Sequence, residues 1–337
     1  MISSFTREEL YHRHQLSHQQ IDDFLGENKS GEYPETKAQH LSKLSAFLKV
    51  TELFEKEGIA FIPQKGPILS YRLHNDPLYR SYNDLDFLVG AGIVSRAAEL
   101  LIKNGFETPF SDLPEDDCHR QLLYQHTNEI FFYSQELETG IELHWNIFDI
   151  GIISPPDYDS LLNENKTEIQ FEGHKYTVFA KEFEILFLVI HGGLHGWNKL
   201  KWLADIVVFL QRTIIDEKKF LFLTRQLKAC RLVSVCNELI KVYFPGTTLL
   251  PAIKKASPGM VRFALRQISR VDQKKTFFSV LSYFHNSWRA FPGIRYKLNL
   301  IGQTLFATDL ANVRWLPCSA FVYYAVSPFW KLWRGFR

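Results

Sequence analysis

Asp84 and Asp86 lie two residues apart at the start of a short apolar segment, DLDFLV. In an extended strand, residues two apart point to the same side, so we expect their carboxylates to lie close together. Two like charges at that distance would raise one pKa sharply unless a cation neutralised them. The pair therefore predicts a site for a divalent cation with oxygen ligands, Mg²⁺ or Mn²⁺.

A second segment, IELHW, places Glu142 and His144 on one face of a predicted strand. If this strand lies beside DLDFLV, Glu142 completes a cluster of three carboxylates with Asp84 and Asp86. Three carboxylates can hold two metal ions, the arrangement used for in-line phosphoryl or nucleotidyl displacement. We therefore expect Asp84, Asp86 and Glu142 to be both the metal ligands and the catalytic residues.

A Lys65-Gly66 pair follows the apolar segment IAFIPQ and precedes a helical pattern. Glycine lets a backbone approach phosphate oxygens, and a helix N-terminus offers unpaired N–H groups and a positive dipole. Lys65 adds a point charge, and Arg80, four residues before Asp84, adds a forked donor. These residues predict a triphosphate-binding turn.

Another group of chemically capable residues lies in the segment HGGLHGWNKLKWLAD. His191 and His195 are one helical turn apart, a spacing that can ligate zinc. The intervening Gly-Gly-Leu supplies no glutamate base, and no third ligand is evident. Histidines hydrogen-bonded at an interdomain surface are therefore the favoured interpretation.

The same segment could instead line the nucleotide-binding site. Lys199 or Lys201 would then lie near phosphate and Trp197 near the base, and we include both lysines among the predicted nucleotide-binding residues. Asp205 could act as a base or only as a partner within its helix, and the sequence leaves these alternatives open.

The elements that must position these residues follow from hydrophobic periodicity. In chain order, we predict a helix over 36–57, a strand over 59–64, a helix over 67–75, a strand over 84–89, a helix over 94–106, and strands over 129–136 and 140–148 joined as a hairpin. Beyond about residue 179 the periodicity is helical throughout. This pattern predicts an N-terminal helical segment (1–57), an α/β domain (58–178) and an all-α domain (179–337).

Composition limits the classes of protein that fit. The 337 residues are 46% apolar with a net charge of +2, so a sizeable core is expected and a long nucleic acid is not an expected partner. The four cysteines show no CxxC spacing and no signal peptide is evident, which predicts free thiols and a cytoplasmic protein.

The C-terminal tail mixes aromatic residues with bases, among them Arg314, Lys331, Arg334 and Arg337. Such a segment could contact a membrane surface. Its apolar run, 315–330, contains two prolines and is too short to span a bilayer. Packing across its own domain is the favoured interpretation.

The stretch QKGPILSYRLHNDPLYRSYNDLDFLV, with IELHW downstream, resembles the nucleotidyltransferase fold shared with DNA polymerase beta. It is more similar to a bacterial group known only as an uncharacterised nucleotidyltransferase family, and related in motif to AbiEii-type nucleotidyltransferases. The resemblance covers about residues 36–210. It departs from the superfamily's usual Gly-Ser or Gly-Gly turn because Pro67 follows Gly66.

That resemblance implies an α+β fold in which a mixed-sheet nucleotidyltransferase domain precedes an all-α C-terminal domain. It also implies Asp84, Asp86 and Glu142 as metal ligands, Lys65 and Gly66 as the triphosphate turn, and an NTP substrate, with ATP expected. The function expected is transfer of a nucleoside monophosphate from the NTP to a hydroxyl of a small molecule, protein or RNA. The alternative is a non-catalytic nucleotide-binding or partner-docking module on the same fold.

Overall fold

The computed structural model describes residues 4–108, 117–148, 155–270, 277–305 and 316–335. The strands are β1 (Phe61–Pro63), β2 (Asp84–Val89), β3 (Glu129–Ser134), β4 (Thr139–His144), β5 (Lys166–Phe171) and β6 (His174–Phe179). The helices are α1 (His18–Leu25), α2 (Pro34–Lys56), α3 (Gly66–His74), α4 (Val94–Lys103), α5 (Asp117–His126), α6 (Pro155–Glu164), α7 (Lys181–Leu194), α8 (Leu200–Arg212), α9 (Glu217–Gln226), α10 (Cys230–Tyr243), α11 (Pro258–Ser269), α12 (Phe277–Ala290), α13 (Ile294–Leu305) and α14 (Ala320–Gly335).

The predicted α+β architecture is confirmed. Four strands form a sheet in the order β1-β2-β4-β3, in which β2 and β4 are parallel while β3 and β4 form an antiparallel hairpin. The sheet is therefore mixed, and the strand carrying Glu142 lies beside the strand carrying Asp86, as expected. Helices follow one another from α7 onward, which confirms the helical half.

The chain divides into two compact units that interleave along the sequence. One comprises Met1–Phe47, Pro63–Asn83 and Ser154–Pro292, and we call it the helical unit. The other comprises Leu48–Ile62, Asp84–Ile153 and Gly293–Arg337, and we call it the sheet unit. The three consecutive domains expected from the sequence stay a prediction.

The core of the sheet unit forms around aromatic contacts between α2 and the first two strands. Phe54 of α2 packs edge-on against Phe61 of β1 and Phe87 of β2, with ring centroids 5.5 and 5.6 Å apart. Phe87 is fully buried, as are Ile141 and Leu143 of β4. Alternation along β4 therefore turns its apolar side chains into the core and leaves Glu142 and His144 on the other face.

The helical unit is centred on α7, which contacts α8, α9 and α10. The close approach depends on Gly193 because a β-carbon there would lie 2.7 Å from the Leu232 side chain of α10. This unit also contains the β5–β6 hairpin. Hydrophobic periodicity did not predict this hairpin, nor the helices α5 and α6.

The prediction that all four cysteines are free thiols is wrong for two of them. Cys118 in α5 and Cys318, just before α14, form a disulfide across 200 residues of sequence. Their neighbours Leu122, Leu316 and Tyr323 form a buried cluster that brings the two segments together. Cys230 and Cys236 are free. A pairing at this separation leaves no local sequence signal, because only tertiary packing makes it.

The described part of the C-terminal tail packs against α5 through that cluster. Because α5 lies within the predicted 58–178 domain, packing of the tail across its own predicted domain, 179–337, stays a prediction. Among the helices in the described ranges, none is long and apolar enough to cross a membrane. Of the bases predicted for the tail, Arg314 and Arg337 lie outside the described residues, as does most of the acidic loop after residue 108.

Candidate metal centre

The register of two parallel strands brings Asp86 and Glu142 together. Asp86 of β2 and Glu142 of β4 are direct neighbours in the ladder, and Asp84 is the neighbour of Gly140. Because neighbours at one register point to the same side of a sheet, both carboxylates project from one face. The predicted convergence of Asp86 with Glu142 is thus present in the sheet unit.

His144, two residues after Glu142, completes the group. Its Nε2 lies 3.3 Å from Oδ1 of Asp86 and 3.5 Å from Oε2 of Glu142. One ligand atom from each of these three side chains lies within 4.8 Å of the others. Among the described residues, Asp86, Glu142 and His144 therefore form a group with the separations needed to hold one metal ion.

The other nitrogen of His144 is held by a fourth side chain. Nδ1 lies 3.1 Å from Oε2 of Glu129, which is the ladder neighbour of His144 on β3. A carboxylate on one imidazole nitrogen fixes the ring orientation and directs the other nitrogen towards a metal. Glu129 is thus placed to orient His144 while itself lying outside the ligand group.

Burial and charge act on His144 in opposite directions. Burial alone would lower the pKa of its imidazole, but hydrogen bonds with Asp86, Glu129 and Glu142 outweigh it and hold that pKa well above its ordinary value. A positive charge on His144 would offset the repulsion between these carboxylates.

The donor set fits a divalent cation, with two carboxylates and one imidazole. Carboxylate oxygens suit Mg²⁺ and Mn²⁺, whereas an imidazole nitrogen favours softer first-row ions. Asp86 is only 3% exposed, so its charge is not stabilised by solvent and requires a positive partner. A metal at this centre would replace the His144 proton as that partner.

Asp84 lies at the first position of β2 and is half-buried. The group of three within the described residues does not include it, and its role as a ligand stays a prediction. Its ladder neighbour Gly140 allows close packing, because a β-carbon there would lie 2.6 Å from the Phe131 ring. A side chain at position 140 would thus displace that ring on the face that carries Glu142.

The predicted phosphate turn lies in the helical unit. Helix α3 begins at Gly66, whose φ of +53° lies in the left-handed region that favours glycine. Pro67 occupies the first turn of the helix, where a missing N–H removes no helical bond. The glycine is thus explained by the backbone, and binding of phosphate by Lys65 and Gly66 stays a prediction.

Arg80 is engaged by a carboxylate that the sequence left unassigned. Its Nε and Nη2 donate to the two carboxylate oxygens of Asp205 at 2.8 and 2.9 Å, with both side chains almost fully buried. Its backbone N–H donates to Oγ of Ser70 in α3 at 3.0 Å. Asp205 is thus the ion-pair partner of Arg80 rather than a partner within its own helix. Arg80, in the loop that follows α3, links this loop to α3 and α8.

Lys199 and Lys201 both donate to Oε1 of Gln15, at 2.8 and 3.2 Å. Lys201 is buried, whereas Lys199 also lies over the Trp202 ring, 5.7 Å from its centroid. Their role in nucleotide binding stays a prediction.

Trp197 cannot contact a nucleotide base as the sequence suggested. It is 2% exposed, and its ring packs so closely on Gly192 that a β-carbon there would lie 2.5 Å away. Its indole is part of the core of the helical unit. His191 and His195 lie with their rings 4.5 Å apart, and each also contacts Trp202.

Sequence reasoning missed the roles of His144 and Glu129. The sequence did place His144 on the face of Glu142, but only carboxylates were considered as ligands. The signal that could have found His144 was its alternation with Glu142 along one strand. Glu129 carried no such signal, because its position depends on the register of the hairpin.

Comparison with known proteins places this geometry in context. The chain is similar to a crystal structure of an antigenic nucleotidyltransferase-like protein from Paracoccidioides brasiliensis, with 17% identity over 52% of this chain and 77% of that one, and a TM-score of 0.33. No curated protein matches the chain. The profile of a family described as uncharacterised nucleotidyltransferases matches residues 11–245, more than half of the sequence. The chain carrying this acidic, histidine-containing centre therefore belongs to that uncharacterised nucleotidyltransferase family.

Proposed function

We propose that this protein is a metal-dependent nucleotidyltransferase that moves a nucleoside monophosphate from an NTP, with ATP expected, to a hydroxyl of an acceptor. The observation that carries the proposal is the convergence of Asp86, Glu142 and His144 in a member of a nucleotidyltransferase family. In the reaction, a bond forms between the acceptor oxygen and the α-phosphorus. The bond between the α-phosphorus and the oxygen that bridges it to the β-phosphate breaks, and pyrophosphate leaves.

Some residues of the centre would bind the metal, and one would orient a metal ligand. Asp86 and Glu142, with Asp84 proposed beside them, would bind Mg²⁺ or Mn²⁺ and accept the proton of the acceptor hydroxyl. When bound, the metal supplies positive charge that lowers the pKa of that hydroxyl and stabilises the phosphate oxygens. Glu129 would keep Nε2 of His144 directed at the centre, and His144 must release a proton to ligate.

The triphosphate residues are proposed from their chemistry. Lys65 supplies a charge, and Gly66 with the first turn of α3 supplies backbone N–H groups and a positive helix end. Lys199 and Lys201 are proposed as further phosphate contacts. Arg80, also predicted to contact phosphate, is more strongly supported as the residue that fixes this turn, because Asp205 accepts from its Nε and Nη2 and the Ser81 carbonyl accepts from its Nη1.

Pyrophosphate release tests the proposal. Purified protein is incubated with Mg²⁺ or Mn²⁺ and each of the four NTPs, together with a fractionated lysate as the source of acceptor. We expect metal-dependent pyrophosphate release and label transfer from an α-labelled NTP, both lost in Asp86→Asn and Glu142→Gln. Glu136→Gln is the matched control, because Glu136 is an exposed acid in the β3–β4 turn. Full transfer by Asp86→Asn would refute the assignment of the centre.

The alternative is a non-catalytic nucleotide-binding or partner-docking module. One observation favours it, namely that Nε2 of His144 lies 3.3 Å from Asp86 and 3.5 Å from Glu142, where a protonated imidazole would offset their charges. On that reading NTP binds without pyrophosphate release, and Asp86→Asn leaves NTP affinity unchanged. Equilibrium binding of a non-hydrolysable NTP with and without Mn²⁺ separates the two functions. A bacterial origin, a cytoplasmic location and a relation to AbiEii-type enzymes stay predictions.

A further inference from the structure

The last part of the chain differs from the rest in charge. Residues 293–337, the last segment of the sheet unit, contain six Lys and Arg residues and a single acid, Asp309, whereas the whole chain has a net charge of only +2. The described helices of this region that belong to the sheet unit are α13 and α14, and neither contains an acidic residue. The sheet unit therefore carries a locally basic end.

Helix α13 exposes a continuous apolar stripe. Ile294, Leu298, Ile301 and Leu305 are 70%, 60%, 37% and 40% exposed. Their spacing of four, three and four residues places them on one helix face. Arg295 and Lys297 lie in the same helix. Clustered apolar side chains of this size on a soluble surface mark an interaction site more often than chance exposure.

Helix α14 exposes two aromatic side chains while its other face is packed. Phe321 and Phe329 are 81% and 74% exposed, and their separation of eight residues is about two helical turns. On the packed face, Tyr323 is fully buried against α5, next to the Cys118–Cys318 disulfide. The helix is therefore anchored, and the outward direction of the two phenylalanines is fixed by that anchoring.

The two helices contact each other within the sheet unit. A β-carbon on Gly302 of α13 would lie 3.1 Å from the Tyr324 hydroxyl of α14, and Lys331 of α14 donates to the Thr304 carbonyl at 2.6 Å. We call the exposed residues Ile294, Leu298, Ile301, Leu305, Phe321 and Phe329 the α13–α14 face.

We propose that the α13–α14 face docks on an anionic lipid surface. Exposed aromatic and aliphatic side chains on helices with Lys and Arg and no acid are the combination that inserts shallowly at a lipid headgroup boundary. The described helices cannot span a bilayer, so they would lie on the surface. Pairing with a second copy would bring two basic ends together, which is electrostatically unfavourable. An RNA backbone would leave the aliphatic stripe of α13 uncovered. The basic charge and the exposed apolar side chains together therefore favour an anionic lipid surface.

The test is co-sedimentation of the full chain with vesicles. We expect binding to phosphatidylcholine vesicles containing phosphatidylglycerol, and much weaker binding to phosphatidylcholine alone. Phe321→Ala/Phe329→Ala should lower the partition coefficient at least about tenfold, because each ring loses apolar area that the lipid would bury. Phe222→Ala is the matched control, since Phe222 is 55% exposed on α9 of the helical unit. These exposed positions can be changed without affecting the core.

The electrostatic part is tested separately. Arg295→Glu/Lys297→Glu should weaken vesicle binding and reduce its sensitivity to added salt, because fewer basic groups contact the anionic surface. The wild type and the three variants should release pyrophosphate in solution at the same rate. Loss of vesicle binding can then be distinguished from failure of the proposed reaction.

Three outcomes would overturn the proposal. One is absence of binding of the wild-type protein to anionic vesicles. Another is a double alanine variant that binds them as the wild type does. The third is a different partner for the same residues. This partner would be a second copy of the chain, seen as a concentration-dependent dimer in light scattering, or single-stranded RNA, bound more tightly than lipid.

Discussion

At the scale of single residues, the centre is organised around His144. Its ring nitrogens lie 3.1–3.5 Å from carboxylate oxygens of Asp86, Glu142 and Glu129, and these contacts hold the pKa of the imidazole above its ordinary value. Asp86 is almost fully buried, so its carboxylate depends on a positive partner such as a protonated His144. Any change that removes one contact leaves another buried charge less well compensated.

Asp86→Asn should therefore destabilise the metal-free protein as well as abolish metal binding. Loss of a nearly buried partner of an imidazolium is expected to lower the free energy of unfolding by about 1–3 kcal/mol. Urea denaturation without metal measures the first effect, and the rise in melting temperature on adding Mn²⁺ measures the second. Glu136→Gln should show neither effect. An Asp86→Asn protein with unchanged stability and a full Mn²⁺ response would contradict the assignment.

Lys65→Ala tests the phosphate turn. Loss of a charge-assisted contact should weaken binding of a non-hydrolysable NTP by about 1.5–3 kcal/mol, roughly tenfold to over a hundredfold. Pro67→Ser should be neutral or improve binding, because it restores an N–H and a hydroxyl at the helix start. Titration calorimetry in Mg²⁺ at fixed ionic strength provides the measurement. Normal NTP affinity in Lys65→Ala would remove Lys65 from the site.

At the scale of elements, the N-terminal segment is tied to α8 through His14. Its Nδ1 accepts a hydrogen bond from the Leu200 N–H at 3.2 Å, and its carbonyl accepts one from the Lys201 N–H at 3.3 Å. The ring is fully buried and contacts Phe5 edge-on. An imidazole that accepts a backbone N–H at Nδ1 cannot also be protonated there, so the contact requires the neutral ring.

The stability of the helical unit should therefore fall in mild acid. Burial lowers the pKa of His14 to about 4 from its ordinary value of 6.5, so the unfolded chain binds the proton more tightly than the folded one. The stabilisation is complete above about pH 6.5 and is lost as the pH falls from 6.5 to 4, by up to about 3 kcal/mol. His74, with a pKa also lowered to about 4 by burial, acts in the same direction.

Urea midpoints measured from pH 7.5 to pH 4.5 check this expectation. His14→Asn keeps an acceptor near the position of Nδ1 and cannot titrate, so its stability should depend less steeply on pH. Its stability at neutral pH will be lower, because the ring contact with Phe5 is lost. An unchanged slope in His14→Asn would assign the acid response to other groups.

At the scale of the whole molecule, the disulfide joins parts of the sheet unit that are far apart in sequence. A loop of 200 residues has a large closure entropy, so the cross-link should stabilise the folded chain by about 2–5 kcal/mol relative to its reduced form. In oxidising buffer, Cys318→Ser should have a lower urea midpoint than the wild type. In reducing buffer, the wild type and Cys318→Ser should have the same urea midpoint. Cys230→Ser is the control and should match the wild type with and without reductant. Equal stability of wild type and Cys318→Ser in oxidising buffer would contradict a formed disulfide.

Much of the local structure could be predicted from the sequence because it depends on local periodicity. The helix predicted over 36–57 was found at Pro34–Lys56, and the strand DLDFLV at Asp84–Val89. The β3–β4 hairpin was also predicted. The convergence of Asp86 with Glu142 was expected only if their two strands lay side by side, and the structure supplies that pairing. The β5–β6 hairpin was missed because its short strands carry a weaker pattern, with only Phe171 of β5 fully in the core.

The sequence by itself determined that Asp84, Asp86 and Glu142 are carboxylates at the spacing expected of metal ligands on strands, and which of the strongly periodic segments form helices and strands. It could do so because residue chemistry and the periods of helix and strand are local properties. The tertiary structure decided the partners. In the folded chain, His144 contacts Asp86, Glu142 and Glu129, and Arg80 pairs with Asp205. Trp197 is buried, and Cys118 forms a disulfide with Cys318. Each of these pairings depends on strand register or on packing between residues distant along the chain, and neither is encoded in the spacing of neighbouring residues.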